Sequence, residues 1–388
     1  MIQELKKINN LNGKRVLLRV DFNLPVKDGE VASGSDWRIR SVIPTLEYLS
    51  GAGAKIIILS HLGRPKGKDL RYSLYPIFLK LKSLWGNDRL FFSPDIFGSD
   101  AENQIKKIND GHAVMLENLR FYEGEENGDD DFAKRISEYG DVFVNDAFAA
   151  SHRAHASITG IPKFLDSYAG FLMEKEIAML SAVRDKPRRP LVLVMGGAKA
   201  ETKLKLVGAF SKKTDATLLG GILANTILHS RGINVGQSFT EEKLVKDAKL
   251  LALNHVSVPI DVLVSKSISL PLDTRICKTS EVKKDEFIVD IGPETIDRFA
   301  KEIKSARMVV WNGALGLTEI PAFKKGSLEI AREICKIPGE KIIGGGDLIN
   351  FLSEENIINK MSYVSTGGGA MLEFLAGETL PGIEALKS

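Results

Sequence analysis

The sequence predicts an α/β protein of two domains, each with a parallel sheet covered by helices. Three observations predict it. The chain has 388 residues, well past the length at which a single core keeps growing. Short, nearly continuous apolar runs alternate with longer amphipathic stretches from end to end. The apolar runs also finish differently in the two halves, on charge in the first and on glycine in the second.

The strand candidates of the first half are KRVLLRVDF, AKIIILSHLG, AVMLENLRF and DVFVNDAF. Those of the second are LVLVMGGAK, ATLLGG, DVLVSK, RMVVWNGALG, KIIGGGD and YVSTGGGA. Runs this continuously apolar fit strands buried on both faces, the hallmark of parallel sheets. Between them lie helical patterns such as IRSVIPTLEYLSGAG and PETIDRFAKEIKSA. In the latter, Ile296, Phe299 and Ile303 recur at spacings of three and four. No short-period repeat argues for a solenoid.

In FLMEKEIAMLSAVRDKPRRP the residues Met173, Ile177, Leu180 and Val183 form one stripe of a helix, which the Pro-bearing basic segment ends. The domain junction is expected there, within 165–187. The acidic stretch EGEENGDDD at 123–131 reads as a solvated loop rather than a metal site, because charge runs rarely fold inward.

An apolar content of 44% and a charged content of 27% describe an ordinary globular chain. A formal net charge of +3 is too small to argue for nucleic acid or an anionic membrane. Cys277 and Cys335 lie far apart and outside any CxxC, which excludes a disulfide framework or zinc knuckle and suits a reducing compartment. The opening MIQELKKINNLNGKR has no signal-peptide core, and no apolar run approaches the ~18 residues of a membrane span. A cytoplasmic protein is expected.

In open parallel sheets, ligands bind beyond the carboxyl ends of the strands. In the first half those ends supply Asp21 and Asn23, His61 and Arg64, Arg120, and Arg153, with Arg38 just before a helix. The planar fork of arginine grips carboxylate or phosphate in bidentate fashion, so the set reads as a site for a small, strongly anionic molecule. In the second half the ends carry Gly196-Gly197, Gly220-Gly221, Gly292, Gly313, Gly344-Gly345-Gly346 and Gly367-Gly368-Gly369. Glycine allows close approach of the main chain, and the helix N-termini that follow offer N–H groups to phosphates, so these read as a nucleotide bed.

The stretch MGGAKAETK contains neither GxxxxGK[ST] nor GxGxxG. What remains is a strand, a glycine turn and a helix whose first turns carry Lys199 and Lys203. Four apart, they share a face and can lie along one polyphosphate; taken alone, the segment equally fits two solvated lysines. Asp347, directly after three glycines, is the best magnesium candidate. His152 and His155 lack the cysteines or HExxH of a zinc site and suit an anion contact or a structural role. A nicotinamide-dependent dehydrogenase would need GxGxxG with an acid about 20 positions on, and neither is found. A non-catalytic sensor of phospho-metabolites is the other rival; it has no need of Arg38, Lys199 and Asp347 together.

Taken in order, RVDFNLPV, SHLGRPKG, ENLRF, FVNDAF, HRAHAS, GGAK, DIGPET, WNGALG, GGGD and STGGGA closely resemble the motifs of the phosphoglycerate kinase family, over residues 14 to 384. The resemblance implies two Rossmann-like lobes joined by a hinge helix. Residues 1–170 would form an N-terminal lobe for 3-phosphoglycerate or 1,3-bisphosphoglycerate, and 171–365 a C-terminal lobe for Mg-ADP or Mg-ATP. The segment 366–388 would return to the N-lobe. The reaction implied is reversible phosphoryl transfer in glycolysis and gluconeogenesis, by a cytoplasmic monomer with small-molecule partners only.

By the same resemblance, Asp21, Phe22, Asn23, Arg38, His61, Leu62, Gly63, Arg64, Arg120 and Arg153 form the phosphoglycerate site. Gly197, Ala198, Lys199, Lys203, Gly220, Gly221, Gly292, Asn312, Leu317, Glu319, Gly345, Gly346, Asp347 and Leu348 form the nucleotide site, with Asp347 the ligand of Mg2+. The catalytic groups implied are Arg38, Lys199, Gly367 and Gly368, with Arg38 of one lobe and Lys199 of the other meeting on the transferred phosphoryl as the lobes close. Three positions depart from the family pattern. Ala314 stands for its proline, Thr318 for an aromatic, and Leu348 for a threonine or serine whose hydroxyl is missing here.

Overall fold

A computed structural model describes residues 2–32, 34–86, 88–245 and 255–387. Its contacts divide the chain into two compact units, residues 1–179 with 379–388 and residues 180–378.

The first unit holds a six-stranded parallel sheet. Its strands lie in the order Leu90–Phe92, Ala113–Met115, Lys55–Leu59, Arg15–Arg19, Val142–Asn145 and Ser167–Ala169. Strand Arg15–Arg19 shows why its sequence is apolar throughout. Val16 and Leu18 face one core with Ile56 and Ile58 and the helices Trp37–Gly51 and Tyr75–Trp85. Leu17 faces the other core with Ile57, Phe143, Phe132 and Ile136. Successive side chains point to opposite faces, so a sheet covered twice needs apolar residues at every position. The chain order reverses between Arg15–Arg19 and Val142–Asn145, which places the ligand crevice of such a sheet beyond those strand ends.

The second unit carries a six-stranded parallel sheet in the order Val256–Ser257, Ala216–Leu219, Leu191–Met195, Met308–Asn312, Glu340–Gly344 and Tyr363–Ser365. Numbered along the chain this is 3-2-1-4-5-6, the doubly wound order, and it reverses between Leu191–Met195 and Met308–Asn312. The turns after these two strands touch. A Cβ on Gly196 would sit 2.0 Å from the Ala314 carbonyl oxygen, and one on Gly313 2.3 Å from the Gly196 oxygen, so only glycine fits at either turn.

One strand of the second half departs from the parallel pattern read from its sequence. Asp261–Ser265 belongs to a separate three-stranded sheet, antiparallel to Arg275–Lys278 on one side and Phe287–Ile291 on the other. The connection 266–274 is too short for a crossover helix, so the neighbouring strands Asp261–Ser265 and Arg275–Lys278 run in opposite directions.

The first boundary falls inside the 165–187 junction read from the sequence, while the limits 170 and 365 implied by the resemblance are displaced. The first lies after Met179, within helix Phe171–Asp185, rather than at 170. The start of that helix is tied to the first unit: the Met173 amide donates to Asp146 at 3.0 Å, and Phe171 packs edge-on against Tyr48. Its end belongs to the second, where Arg184 lies over the Phe374 ring. The chain returns to the first unit at 379 and not at 366. Helix Gly369–Leu375 packs on helix Ala200–Phe210, and Lys205 pairs with Glu378 at 3.3 Å, which keeps 366–378 in the second unit. Beyond it, the Gly382 amide donates to the Ser151 carbonyl at 2.9 Å and Lys387 bridges to Ile2.

Candidate active site

In the first unit the charged strand ends are organised around a residue the sequence reading passed over. Arg19 closes the central strand and its side chain is fully buried. It donates to Ser157 Oγ at 2.8 Å and to the carbonyl of Val20, touches His61 Nδ1 at 3.0 Å, and pairs with Glu125 at 3.7 Å. Glu125 is also fully buried and accepts from the Ser157 amide at 2.9 Å and its hydroxyl at 2.6 Å.

The acidic stretch 123–131 is largely exposed, as a solvated run would be, but it is helical rather than a loop and Glu125 turns inward. It forms a helical turn, Glu123–Glu126, that sends Glu125 inward, and Asp129 then caps helix Asp130–Ser137 by accepting from the Phe132 amide at 2.8 Å. The signal available in the sequence was Arg19 itself, two residues along from Leu17 on a strand face that otherwise demands an apolar side chain.

A guanidinium can only donate, so His61 Nδ1 accepts from Arg19 and the ring proton sits on Nε2. Burial holds the His61 pKa well below its usual value; Asp21 pulls it the other way, and Arg19, Arg120 and Arg153 add to the depression. His61 is thus a neutral hydrogen-bond donor and not a cation at neutral pH. Burial alone would push the Asp21 carboxyl up. Arg38, then His61 and the Asn23 amide, instead hold it well below the usual carboxylate range. Arg38 Nη1 lies 2.8 Å from Asp21, and its guanidinium also stacks over the Trp37 ring.

Arg120 is buried and donates to the Gly63 carbonyl at 2.5 Å, with its Nε 3.1 Å from Glu126. Its Nη2 is buried without a hydrogen-bond partner among the described residues. Burial, with lesser contributions from Arg153 and Arg19, brings its pKa down to about 10 against the pull of Glu126 and Glu125. Arg153 donates to His152 Nε2 at 3.2 Å. Burial followed by Arg120, Arg19 and Arg153 takes His155 down to about 3, so it too is neutral. These arginines crowd one another, which is the electrostatic state an incoming polyanion relieves.

The remaining residues of this set play different parts. Asn23 accepts from the Gly63 amide at 3.0 Å and ties the first two strand-end loops together. Arg64 is exposed on the loop after His61. Phe22 and Leu62 are buried in the core, and their amides are taken by Ser60 Oγ and Asn118 Oδ1. With side chains in the core and amides already paired, both shape the loops that carry Asp21 and His61.

In the second unit the glycine turns border a cavity of about 320 Å³ at the point where the strand order reverses. Gly197, Ala198, Lys199, Lys203, Gly221, Asn312, Leu317, Glu319, Gly345, Gly346, Asp347, Leu348 and Gly368 all line it. Lys199 is not on the helix as expected. It is the N-cap residue of Ala200–Phe210, in the left-handed conformation at φ 61°, and its side chain is exposed.

Lys203 is helical and buried, donates to the Ala198 carbonyl, and has its Nζ 3.8 Å from where a Gly197 Cβ would stand. Burial and then Lys199 lower its pKa to about 8, against the pull of Asp347 and Glu241. Asn312 is buried, and its Nδ2 has no hydrogen-bond partner among the described residues, which leaves a free donor at the cavity wall. Leu348 turns its side chain into the core from the first turn of helix Gly346–Glu354, so that position offers only backbone.

Three predicted residues stand outside the cavity lining. Gly292 precedes helix Pro293–Lys304, whose N-terminus is already filled: Asp261 accepts from the Glu294 and Thr295 amides at 3.0 and 2.7 Å. A side chain at Gly292 would strike that carboxylate at 2.3 Å, so the glycine serves packing. Gly220 lies behind the wall against Leu315, with its amide given to the Met195 carbonyl at 2.9 Å. The Gly367 amide is committed to Ser365 Oγ at 3.1 Å. Sequence reasoning also missed Asn225, Ser238, Phe239, Ile268 and Phe287, which line the same cavity. They come from separate segments whose convergence only the fold reveals.

A crowded arginine site at one switch point and a glycine-lined, lysine-bearing cavity at another define a nucleotide-dependent phosphotransferase of two α/β units. The comparisons say which. A family model described as Phosphoglycerate kinase matches residues 5–378. The phosphoglycerate kinase of Borrelia garinii subsp. bavariensis is 41% identical over 100% of this chain and 99% of its own length. That of Coprothermobacter proteolyticus is 42% identical over 97% and 96%. Among solved structures, the phosphoglycerate kinase of Pyrococcus horikoshii OT3 superposes with a TM-score of 0.87 at 32% identity, covering 99% of this chain and 98% of its own. The chain belongs to the phosphoglycerate kinase family.

Lys203 yields a pH prediction. A polyphosphate bound beside it would stabilise the charged lysine, so its binding would take up a proton once the free amine has lost its own. ADP affinity should therefore fall above pH 8, by about tenfold per pH unit at the steepest. Calorimetric titration with ADP from pH 7 to 9.5 measures it. Lys203→Met should bind weakly with a flat profile, and a parallel decline in the variant would assign the effect elsewhere.

Proposed function

We propose that the chain transfers a phosphoryl group reversibly between the acyl phosphate of 1,3-bisphosphoglycerate and ADP, with the two ligand sites divided between its two units. The observation that carries the division is the contrast in electrostatics. Arg19 and Arg120 are held below their usual pKa by burial and then by neighbouring arginines in the first unit, while bare backbone and two lysines border the cavity of the second. The small formal net charge of +3 supports small-molecule rather than nucleic-acid partners. Free Cys277 and Cys335 suit the cytoplasm. No helix among the described residues is long and apolar enough to cross a membrane.

In the first unit, Arg120, Arg153 and Arg64 would hold the phosphate and carboxylate of phosphoglycerate, with the His61 Nε2–H as a neutral donor. Arg38, fixed by Asp21 and Trp37 through one part of its fork, keeps further N–H donors for the transferring phosphoryl. In the second unit, Lys199 and Lys203 would lie along the polyphosphate, Asn312 Nδ2 would donate to it, and Gly221, Gly345 and Gly368 would admit it close to the backbone. The part of the lining with Leu317 and Glu319 would take the nucleoside.

No group of three or more metal-ligating side chains occurs among the described residues, so the chain alone builds no metal cage. Asp347, a single exposed carboxylate at the cavity edge and within electrostatic reach of Lys203, fits a magnesium ion that arrives on a polyphosphate. When bound, that ion would neutralise phosphate charge. The acceptor in either direction, an ADP phosphate oxygen or the carboxylate of 3-phosphoglycerate, is already ionised at pH 7, so no general base is needed. Catalysis is then positioning and charge neutralisation of a loose transition state, and the excess of donors over bases in both sites suits it.

Trapping of the acyl phosphate tests the reading. ATP, 3-phosphoglycerate, magnesium and hydroxylamine should yield the hydroxamate only when every component is present. Hydroxamate without 3-phosphoglycerate, or none with all of them, would overturn it.

A further inference from the structure

Asp290 is a buried carboxylate for which the transfer reaction has no evident use. It sits on strand Phe287–Ile291 of the antiparallel sheet and borders the nucleotide cavity from behind. Its Oδ2 accepts from the Gly326 amide at 2.6 Å and its Oδ1 from the Ile291 amide at 2.9 Å. The carboxylate also occupies space that two glycines leave open: a Cβ on Gly316 would stand 2.3 Å from Oδ1, and one on Gly326 2.4 Å from it.

Gly316 belongs to the segment 313–319 that lines the cavity, and Gly326 to the first turn of helix Lys325–Lys336. The same segment is held on either side of Gly316. The Leu315 amide donates to Ser327 Oγ on that helix at 2.9 Å, and the Leu317 amide to the Val289 carbonyl at 2.9 Å.

We propose that Asp290 is a positioning residue for the nucleotide: its carboxylate is the wedge that sets segment 313–319 against helix Lys325–Lys336 and so fixes the wall on which the nucleotide rests. The inference rests on the reading of this cavity as the nucleotide site. Burial pushes the Asp290 carboxyl up to about 7, against the two amides that pull it down, and no charged side chain contributes to its shift. Retaining a carboxylate without a cation is unfavourable for the fold. The two amides and the two glycine gaps are what it holds in return.

Asparagine at this position keeps the shape but has one acceptor oxygen where the carboxylate has two, so one of the two amides loses its partner. Asp290→Asn should raise the KM for ADP and its calorimetric Kd about tenfold, with kcat at saturation and the KM for 1,3-bisphosphoglycerate within threefold of the parent. A lower melting temperature with an unchanged ADP Kd would reduce Asp290 to a structural cap and overturn the proposal, as would equal losses for both substrates. Gly316→Ala leaves the carboxylate in place and displaces the segment from the other side. It should produce the same nucleotide-selective loss, and it keeps the test decisive if Asp290→Asn folds poorly. Failure of the parent chain to bind ADP at all would instead strike the assignment of the cavity.

Discussion

Arg38→Ala should lower kcat by about 10³–10⁵-fold, the range for an arginine that neutralises a transferring phosphoryl, while ADP affinity stays within about twofold of the parent. Asp21 at 2.8 Å and the Trp37 ring fix the guanidinium, and Asp21 stays ionised under the same pull. A preorganised donor costs no reorganisation when charge develops, which is why its removal should appear in kcat. ADP affinity should stay put because the proposed nucleotide groups belong to the other compact unit. Steady-state kinetics with both substrates and a separate ADP titration read the two quantities. An unchanged kcat would remove Arg38 from the transfer step.

Glu125→Gln should destabilise the first unit by about 3–5 kcal/mol, the usual cost of stripping one partner from a buried pair. Total stabilities of about 5–15 kcal/mol make that a loss visible in any melt. Both side chains of the Arg19–Glu125 pair are wholly buried, and Glu125 also binds the Ser157 amide and hydroxyl. The variant would leave the Arg19 charge in a dry site with its counter-charge gone. Arg19→Met combined with Glu125→Leu should recover much of the melting temperature, because an apolar pair needs no compensation. It should nevertheless bind phosphoglycerate poorly, since nothing then sets the His61 tautomer. A single variant as stable as the parent would show that water reaches the pair.

What the sequence made legible follows from which signals are local. Strands buried on both faces are apolar at every position, so the two parallel sheets could be read from runs such as KRVLLRV and LVLVM. Their carboxyl ends held most of the candidate site, including Asp21, Arg120, Lys203 and Asn312, because parallel topology gathers strand ends on one edge. Charge and glycine identities beyond that edge needed tertiary information.

Glu125 looked solvated because its neighbours are acidic and its partner lies more than a hundred positions away, at Arg19. Gly292 looked like the other strand-end glycines, yet Asp261 from the antiparallel sheet fills the helix terminus beside it. Phe22 and Leu62 sit inside site motifs, but their side chains serve the core. The left-handed Lys199 escaped a purely helical spacing argument, since a cap residue leaves the helical path.

The central claim is the division of the two ligands between the two units, and paired calorimetric titrations test it most directly. The parent, Arg120→Ala and Lys203→Met would each be titrated with 3-phosphoglycerate and, separately, with ADP. The account predicts that Arg120→Ala loses affinity for 3-phosphoglycerate alone and Lys203→Met for ADP alone. Loss of both ligands in both variants, or the reverse pairing, would contradict it.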